Sequence, residues 1–349
     1  MSATPSTQRA WRVVRKGYPS KALRLENLPV PTQLSSGEVL VKIQAASLNP
    51  VGYKLMGLLP NFLAKRPHVA EFDLAGVIID GNGTKWKAGD AVYGNIPFSQ
   101  VKKTRQGALA EYARLPAVNL LPRPPHVTPT QAAGLPTAGF TAYQCLFQHG
   151  ALKKGQSIFV NGGSTSVGAF AIQLAKAAGC TVTASASAKN EQYVRGLGAD
   201  EFFDYTKAPL HEQLVNAPPA QKYQVFVEAA GLVDPALYTH SEAYLAPDGV
   251  FVSMGPQPKG FDIVGIAKLA WGVFMKPTWL GGTKRKFMIM SVELNEAEMQ
   301  AFNKLVEEEK VKTPVDSVYA FQDTLKAYER IMTGRATGKI IVKVDPDAE

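Results

Sequence analysis

Cysteine is almost missing from this chain. Its 349 residues include two, Cys145 and Cys180, far apart and without C-x-x-C spacing, which excludes a disulfide framework and a four-cysteine zinc site. A reducing, cytoplasmic setting is the simpler reading. Histidine is nearly as scarce, with five in all, and His68 followed by Glu71 supplies no tetrahedral metal set in the N-terminal half. A membrane-spanning apolar run is also lacking. Phe261 to Leu280 comes nearest, and Asp262, Lys268, Lys276 and Pro277 interrupt it. This stretch, 261–280, is expected to form an amphipathic cover or partner-binding element; a peripheral membrane contact through Trp271, Phe274 and Trp279 is the alternative. Acids are outnumbered, 29 to 38, for a net charge of +9. The basic residues are scattered, with only short clusters at Lys102, Lys103 and Arg105 and at Lys284 to Lys286, so no nucleic-acid face is expected. No acid precedes Glu26, while Arg9, Arg12, Arg15 and Lys16 do, a faint likeness to a transit peptide. Yet Ala10 to Val14 alternates like a strand, leaving about the first eight residues as a dispensable tail.

The most informative stretch is Ser157 to Ala178, SIFVNGGSTSVGAFAIQLAKAA. Ile158 to Val160 reads as a buried strand, and Val167, Phe170, Ala171, Leu174, Ala175 and Ala178 recur at helical spacing. Between them lie Gly162, Gly163 and Gly168. Small residues let a backbone approach a pyrophosphate, and a new helix offers it free N–H groups. A strict G-x-G-x-x-G is absent, since Thr165 and Ser166 intervene, and an ordinary strand-to-helix turn is the competing reading. Further strands at Thr181 to Ser185, Glu201 to Phe203, Tyr223 to Val227 and Gly249 to Met254, with a helix at Asn190 to Leu197, predict a doubly wound parallel sheet.

In such units an acid about 20 positions after the first glycine selects NAD. Ser185 stands there, followed by Ser187 and Lys189; hydroxyls and a positive charge predict NADPH, unless SASAK is only a solvated loop.

The flanks carry a family resemblance. GEVLVKIQAASLNPVGYK (37–54), WKAGDAVYG (86–94), GALAEYARLP (107–116), AAGLPTAGFTAYQCL (132–146) and GRATGKIIVKV (334–344) resemble the zinc-independent medium-chain dehydrogenase/reductases of the quinone oxidoreductase, zeta-crystallin-like type. That resemblance implies an α/β chain with a GroES-like β-barrel catalytic domain from 1–127 and 293–349 and a Rossmann domain over 128–292. It implies hydride transfer from NADPH to a quinone or α,β-unsaturated carbonyl without zinc, and a homodimer. The alternatives are a trans-acting enoyl reductase of a polyketide or fatty-acid pathway, with 261–280 docking a carrier protein, and a non-enzymatic NADPH- or RNA-binding protein.

The same resemblance assigns roles. Asn49 would hydrogen-bond the reacting oxygen, or else cap the turn before Pro50. Lys54 would contact the nicotinamide ribose or stabilise oxyanion charge, or else be a surface lysine at a helix start. Tyr53 would donate a proton, or else pack in the core. Thr137 and Thr141 would meet the nicotinamide, or else serve the helix start. Ser164, Thr165, Ser166, Val167 and Gly168 would hold the pyrophosphate, Ser185, Lys189 and Tyr205 the 2′-phosphate end, and Gly255 the nicotinamide ribose. Two departures stand out: Gly52 where relatives commonly carry an acid in N-P-x-D, and Glu71 where G-x-D-x-A-G begins with glycine. A hydrolase reading of Ser166 at a nucleophile elbow lacks the first glycine of G-x-S-x-G, and neither His211 nor His240 pairs with an acid.

Overall fold

Continuous apolar runs bounded by glycine turns become strands buried on both faces. In the computed structural model, which describes residues 4–257, 262–293 and 295–348, Ser157–Asn161 is such a strand, buried throughout. It begins a parallel sheet whose order is Glu201–Asp204, Thr181–Ala186, Ser157–Asn161, Tyr223–Glu228, Leu245–Ser253, Lys286–Ile289. This is the 3-2-1-4-5-6 order of a doubly wound dinucleotide fold. The fifth strand starts at Leu245, four residues before the expected Gly249, and the sixth strand was not read from the sequence. Phe159, Phe226, Phe251 and Phe287 stand opposite one another on adjacent strands. Their rings stack at centroid separations of 4.7, 4.6 and 5.6 Å. Each such pair contributes about 0.5–1.5 kcal/mol beyond burial, so the ladder fixes the register of the sixth strand. The helix Ser166–Ala177 covers the sheet with Phe170, Ile172 and Leu174.

The unit containing this sheet comprises Gly139–Glu293 and Glu308–Lys312. Within it, Asp262 caps the helix Ile263–Ala270 by accepting the Gly265 N–H at 2.8 Å. Trp271, Phe274 and Trp279 follow, 50%, 65% and 81% exposed. Phe261, the first residue of the stretch singled out above, lies outside the described residues. Among the described residues no helix is long and apolar enough to cross a membrane.

The other unit comprises Met1–Ala138, Leu294–Glu307 and Thr313–Glu349. The alternation of Val39, Val41 and Ile43 yields the strand Glu38–Leu48, buried at most positions. It sits between Lys339–Lys343 and Asp73–Asp80 in a seven-stranded sheet, and Tyr112–Pro116 pairs with its first half. A three-stranded sheet of Leu23–Pro29, Thr7–Val13 and His68–Val69 shares the same core, where Trp11 and Val13 pack with Val39, Leu74 and Ile340. The first strand begins at Thr7, so the N-terminal tail is shorter than the sequence suggested.

Candidate active site

The glycine-rich turn is shaped by two steric facts. Gly162 has φ +81°, and a Cβ on Gly168 would lie 2.2 Å from the Gly162 carbonyl oxygen; a side chain at either position opposes this turn. Thr165 caps the helix: its hydroxyl accepts the Gly168 N–H at 3.1 Å and donates to the Gly162 carbonyl at 2.8 Å. A helix start leaves its first N–H groups without internal partners, which here are those of Ser166 and Val167. Ser164 accepts from Asn190 Nδ2 at 3.1 Å, tying the turn to the segment after the second strand. The turn therefore has the geometry of an anion cradle.

A buried polar row lies beneath it at the carboxyl ends of four strands. Ser185, Asn161, Glu228 and Ser253 are cross-strand neighbours. Ser185 Oγ donates to Asn161 Oδ1 at 2.7 Å, and Asn161 Nδ2 donates to Glu228 Oε1 at 3.2 Å. Glu228 also accepts the Ala230, Gly231 and Leu232 N–H groups, and burial still pushes its carboxyl pKa up. This corrects the expectation for Ser185: it is fully buried, and its hydroxyl is spent on the row rather than offered to a 2′-phosphate. Glu228 was missed, although VFVE before a small-residue turn is the signal of an acid ending a buried strand.

Ser187, Lys189 and Tyr205 remain at the edge. Lys189 is exposed, Tyr205 is 51% exposed, and the Tyr205 N–H reaches the Ala186 carbonyl at 3.4 Å. Asp204, opposite Ala186, accepts from the Thr206 hydroxyl and N–H at 2.7 and 2.9 Å, which hold its carboxyl below the usual range. Gly255 follows the fifth strand at φ +82°, its N–H on Ser253 Oγ at 3.1 Å.

In the other unit, the motif residues converge on one buried carboxylate. Asp73 is fully buried. Its Oδ1 accepts Thr137 Oγ1 at 2.5 Å and Asn95 Nδ2 at 2.7 Å. Its Oδ2 accepts Asn49 Nδ2 at 2.9 Å, Ser47 Oγ at 3.2 Å and Lys339 Nζ at 3.3 Å. Lys339 Nζ also donates to Asn49 Oδ1 at 2.8 Å. Such a buried pair persists because its remaining polar sites are satisfied. Asn49 makes no side-chain cap on the helix Pro50–Leu58, so the capping alternative falls. The Thr137 hydroxyl donates to Asp73 and accepts from Asn95 Nδ2 at 2.9 Å, and Thr141 is buried. Lys54 is inside that helix rather than at its start, half-buried, and desolvation lowers its pKa. Tyr53 packs against the core, and burial raises its phenol pKa.

Among the described residues, metal donors do not assemble. His68 turns its Nδ1 to the Val69 carbonyl at 3.0 Å, and among the described residues no group of three or more His, Cys, Asp or Glu is placed to hold a metal ion.

Comparison with known proteins agrees with this architecture. Residues 35–125 match the alcohol dehydrogenase GroES-like domain, and residues 197–342 match the zinc-binding dehydrogenase family; the donor set above does not fit the zinc of that description. The chain is 34% identical to the trans-enoyl reductase pgmF of Aspergillus terreus, over 99% of this chain and 98% of that protein. The solved quinone oxidoreductase of Coxiella burnetii superposes with a TM-score of 0.78 at 26% identity, covering 97% of this chain and 99% of that one. The 2-octenoyl-CoA carboxylase reductase CinF, solved with NADP and 2-octenoyl-CoA, superposes at 0.76 with 25% identity, covering 99% and 89%. The chain belongs to the medium-chain dehydrogenase/reductase family of oxidoreductases, in its quinone oxidoreductase-like branch.

Proposed function

We propose that this protein is an NADPH-dependent reductase of electron-poor acceptors, either quinones or α,β-unsaturated carbonyl compounds. The observation that carries the reading is the anion cradle from Gly162 to Gly168, set at the carboxyl ends of a 3-2-1-4-5-6 sheet. Ser164, Thr165, Ser166, Val167 and Gly168 would hold a dinucleotide pyrophosphate. Ser187, Lys189 and Tyr205 would face the adenosine ribose, where Lys189 favours a 2′-phosphate. Bound there, the cofactor supplies a hydride. The chain's own part is polar and local. An amide nitrogen carries two protons; Asn49 gives one to Asp73 and keeps one for an acceptor oxygen. Lys339 on Oδ1 polarises the amide toward that role. Lys54, with its lowered pKa, offers a poorly solvated positive charge to developing enolate or quinol oxygen.

Enone chemistry has specific support as the narrower reading, because the trans-enoyl reductase similarity runs over 99% of the chain. A small-molecule acceptor and a homodimer belong to the same proposal, the dimer being readable by sedimentation velocity.

The test is NADPH consumption by purified, metal-chelated protein with phenanthrenequinone and, separately, a medium-chain enone, with NADH as control. Turnover of either acceptor with NADPH supports the reading, and their ratio separates the two chemistries. No turnover of either, together with no quenching of tryptophan fluorescence by NADPH, overturns it.

A further inference from the structure

Gly52 and Glu71 are the two positions at which this chain departs from the motif described above, and the structure brings them into contact. Gly52 lies buried in the first turn of the helix Pro50–Leu58. A Cβ built on it would stand 2.1 Å from Glu71 Oε1 and 3.0 Å from Oε2. No side chain fits at 52 while the Glu71 carboxyl is there. Glu71 reaches this space from φ +62°, a left-handed conformation that is strained for a non-glycine residue. Glu71 is 2% exposed, and its carboxyl is held from two directions. Tyr328 donates its hydroxyl to Oε1 at 2.6 Å, and the Asn49 backbone N–H donates to Oε2 at 3.2 Å. The carboxyl thus joins the Asn49 turn to the helix Thr324–Met332, inside a cavity also lined by Leu55, Met56, Phe72 and Phe98.

We propose that Glu71 is a positioning residue for Asn49, delivering through the space vacated at Gly52 the carboxyl that fixes the Asn49 to Lys54 turn, so that 52 and 71 form one reciprocal pair. The strained backbone at 71 and the missing side chain at 52 are then two halves of one exchange. Glu71 in this position requires glycine at 52. The role in turnover rests on the reductase reading above; the pairing itself does not.

The test is a double-mutant cycle on the full chain with Gly52→Asp, Glu71→Gly and the double variant, with Glu71→Gln as the conservative control. Amide hydrogen exchange across residues 47–54, thermal midpoint, and kcat and KM with NADPH and the accepted acceptor are read for each. Glu71→Gly should speed exchange of the Asn49 amide and lower kcat by roughly tenfold, short of the roughly hundredfold cost of a full 1 Å misplacement, with KM for NADPH within about twofold. Glu71→Gln, which keeps an acceptor for the Asn49 N–H, should retain most of kcat. The double variant should recover exchange protection and kcat relative to Glu71→Gly. That comparison decides the matter even if Gly52→Asp alone fails to fold. Losses that simply add overturn the pairing, and recovered protection with kcat untouched in Glu71→Gly overturns the positioning role. If the wild type reduces no acceptor and NADPH quenches no tryptophan fluorescence while exchange shows the coupling, the reductase reading falls and the pair stands.

Discussion

Glu71 exposes its chemistry through pH. Burial, helped by the neighbouring Asp73 charge, pushes its carboxyl from 4.5 up to about 8, against Tyr328, Lys339 and the Asn49 N–H. Folding therefore takes up a proton between those values, and stability falls as pH rises through that window. The thermal midpoint of the wild type should drop from pH 5 toward pH 8 more steeply than that of Glu71→Gln; parallel curves would mean that the carboxyl titrates normally. Lys339→Met removes the cation beside the fully buried Asp73 and should cost about 3–5 kcal/mol in chemical denaturation, since it strands a charge. At the nucleotide edge, Lys189→Glu should shift the NADPH-to-NADH affinity ratio by about tenfold or more, the equivalent of about 1.4 kcal/mol; an unchanged ratio removes Lys189 from the site. Of these residues, Asn49 and Lys189 were visible in the sequence as motif positions. The Asp73–Lys339 pair was not, because no local pattern announces that a lysine opening the strand KIIVK will be buried against an acid so distant in the chain. Ser185 misled for a related reason: position in a motif gives no direction for a side chain, and this one points into the sheet.

Elements were more legible than side chains. Five of the six strands of the parallel sheet were readable, and for the central ones burial on both faces leaves a continuous hydrophobic signal. The sixth, Lys286–Ile289, lies at the sheet edge behind a basic stretch, and only cross-strand stacking of Phe287 reveals why it pairs. The helix Ser166–Ala177 depends on its entry turn. Gly168→Ala would drive a methyl against the Gly162 carbonyl, at a cost of about 1–3 kcal/mol, and the cradle would open. NADPH affinity measured by fluorescence quenching should fall at least about tenfold. Unaltered affinity would show that the turn does not hold the phosphates.

At the scale of the whole molecule, two units with separate cores make ligand effects separable. A nucleotide that binds the native state raises stability by about 2.7 kcal/mol at a hundredfold excess over Kd. Hydrogen exchange with and without NADPH should show protection concentrated at residues 157–168 and 185–205. Uniform protection, or none at these segments, would place the nucleotide elsewhere. The interleaving of the units also orders their assembly during synthesis. The strand Glu38–Leu48 is among the first made, yet its neighbour Lys339–Lys343 emerges from the ribosome near the end, after the parallel sheet is complete. Until then the nascent chain carries an open β edge and an acid at 73 awaiting its cation, the kind of exposed edge that invites misassociation. A chain stopped just short of position 339 would leave the earliest-made unit permanently unfinished.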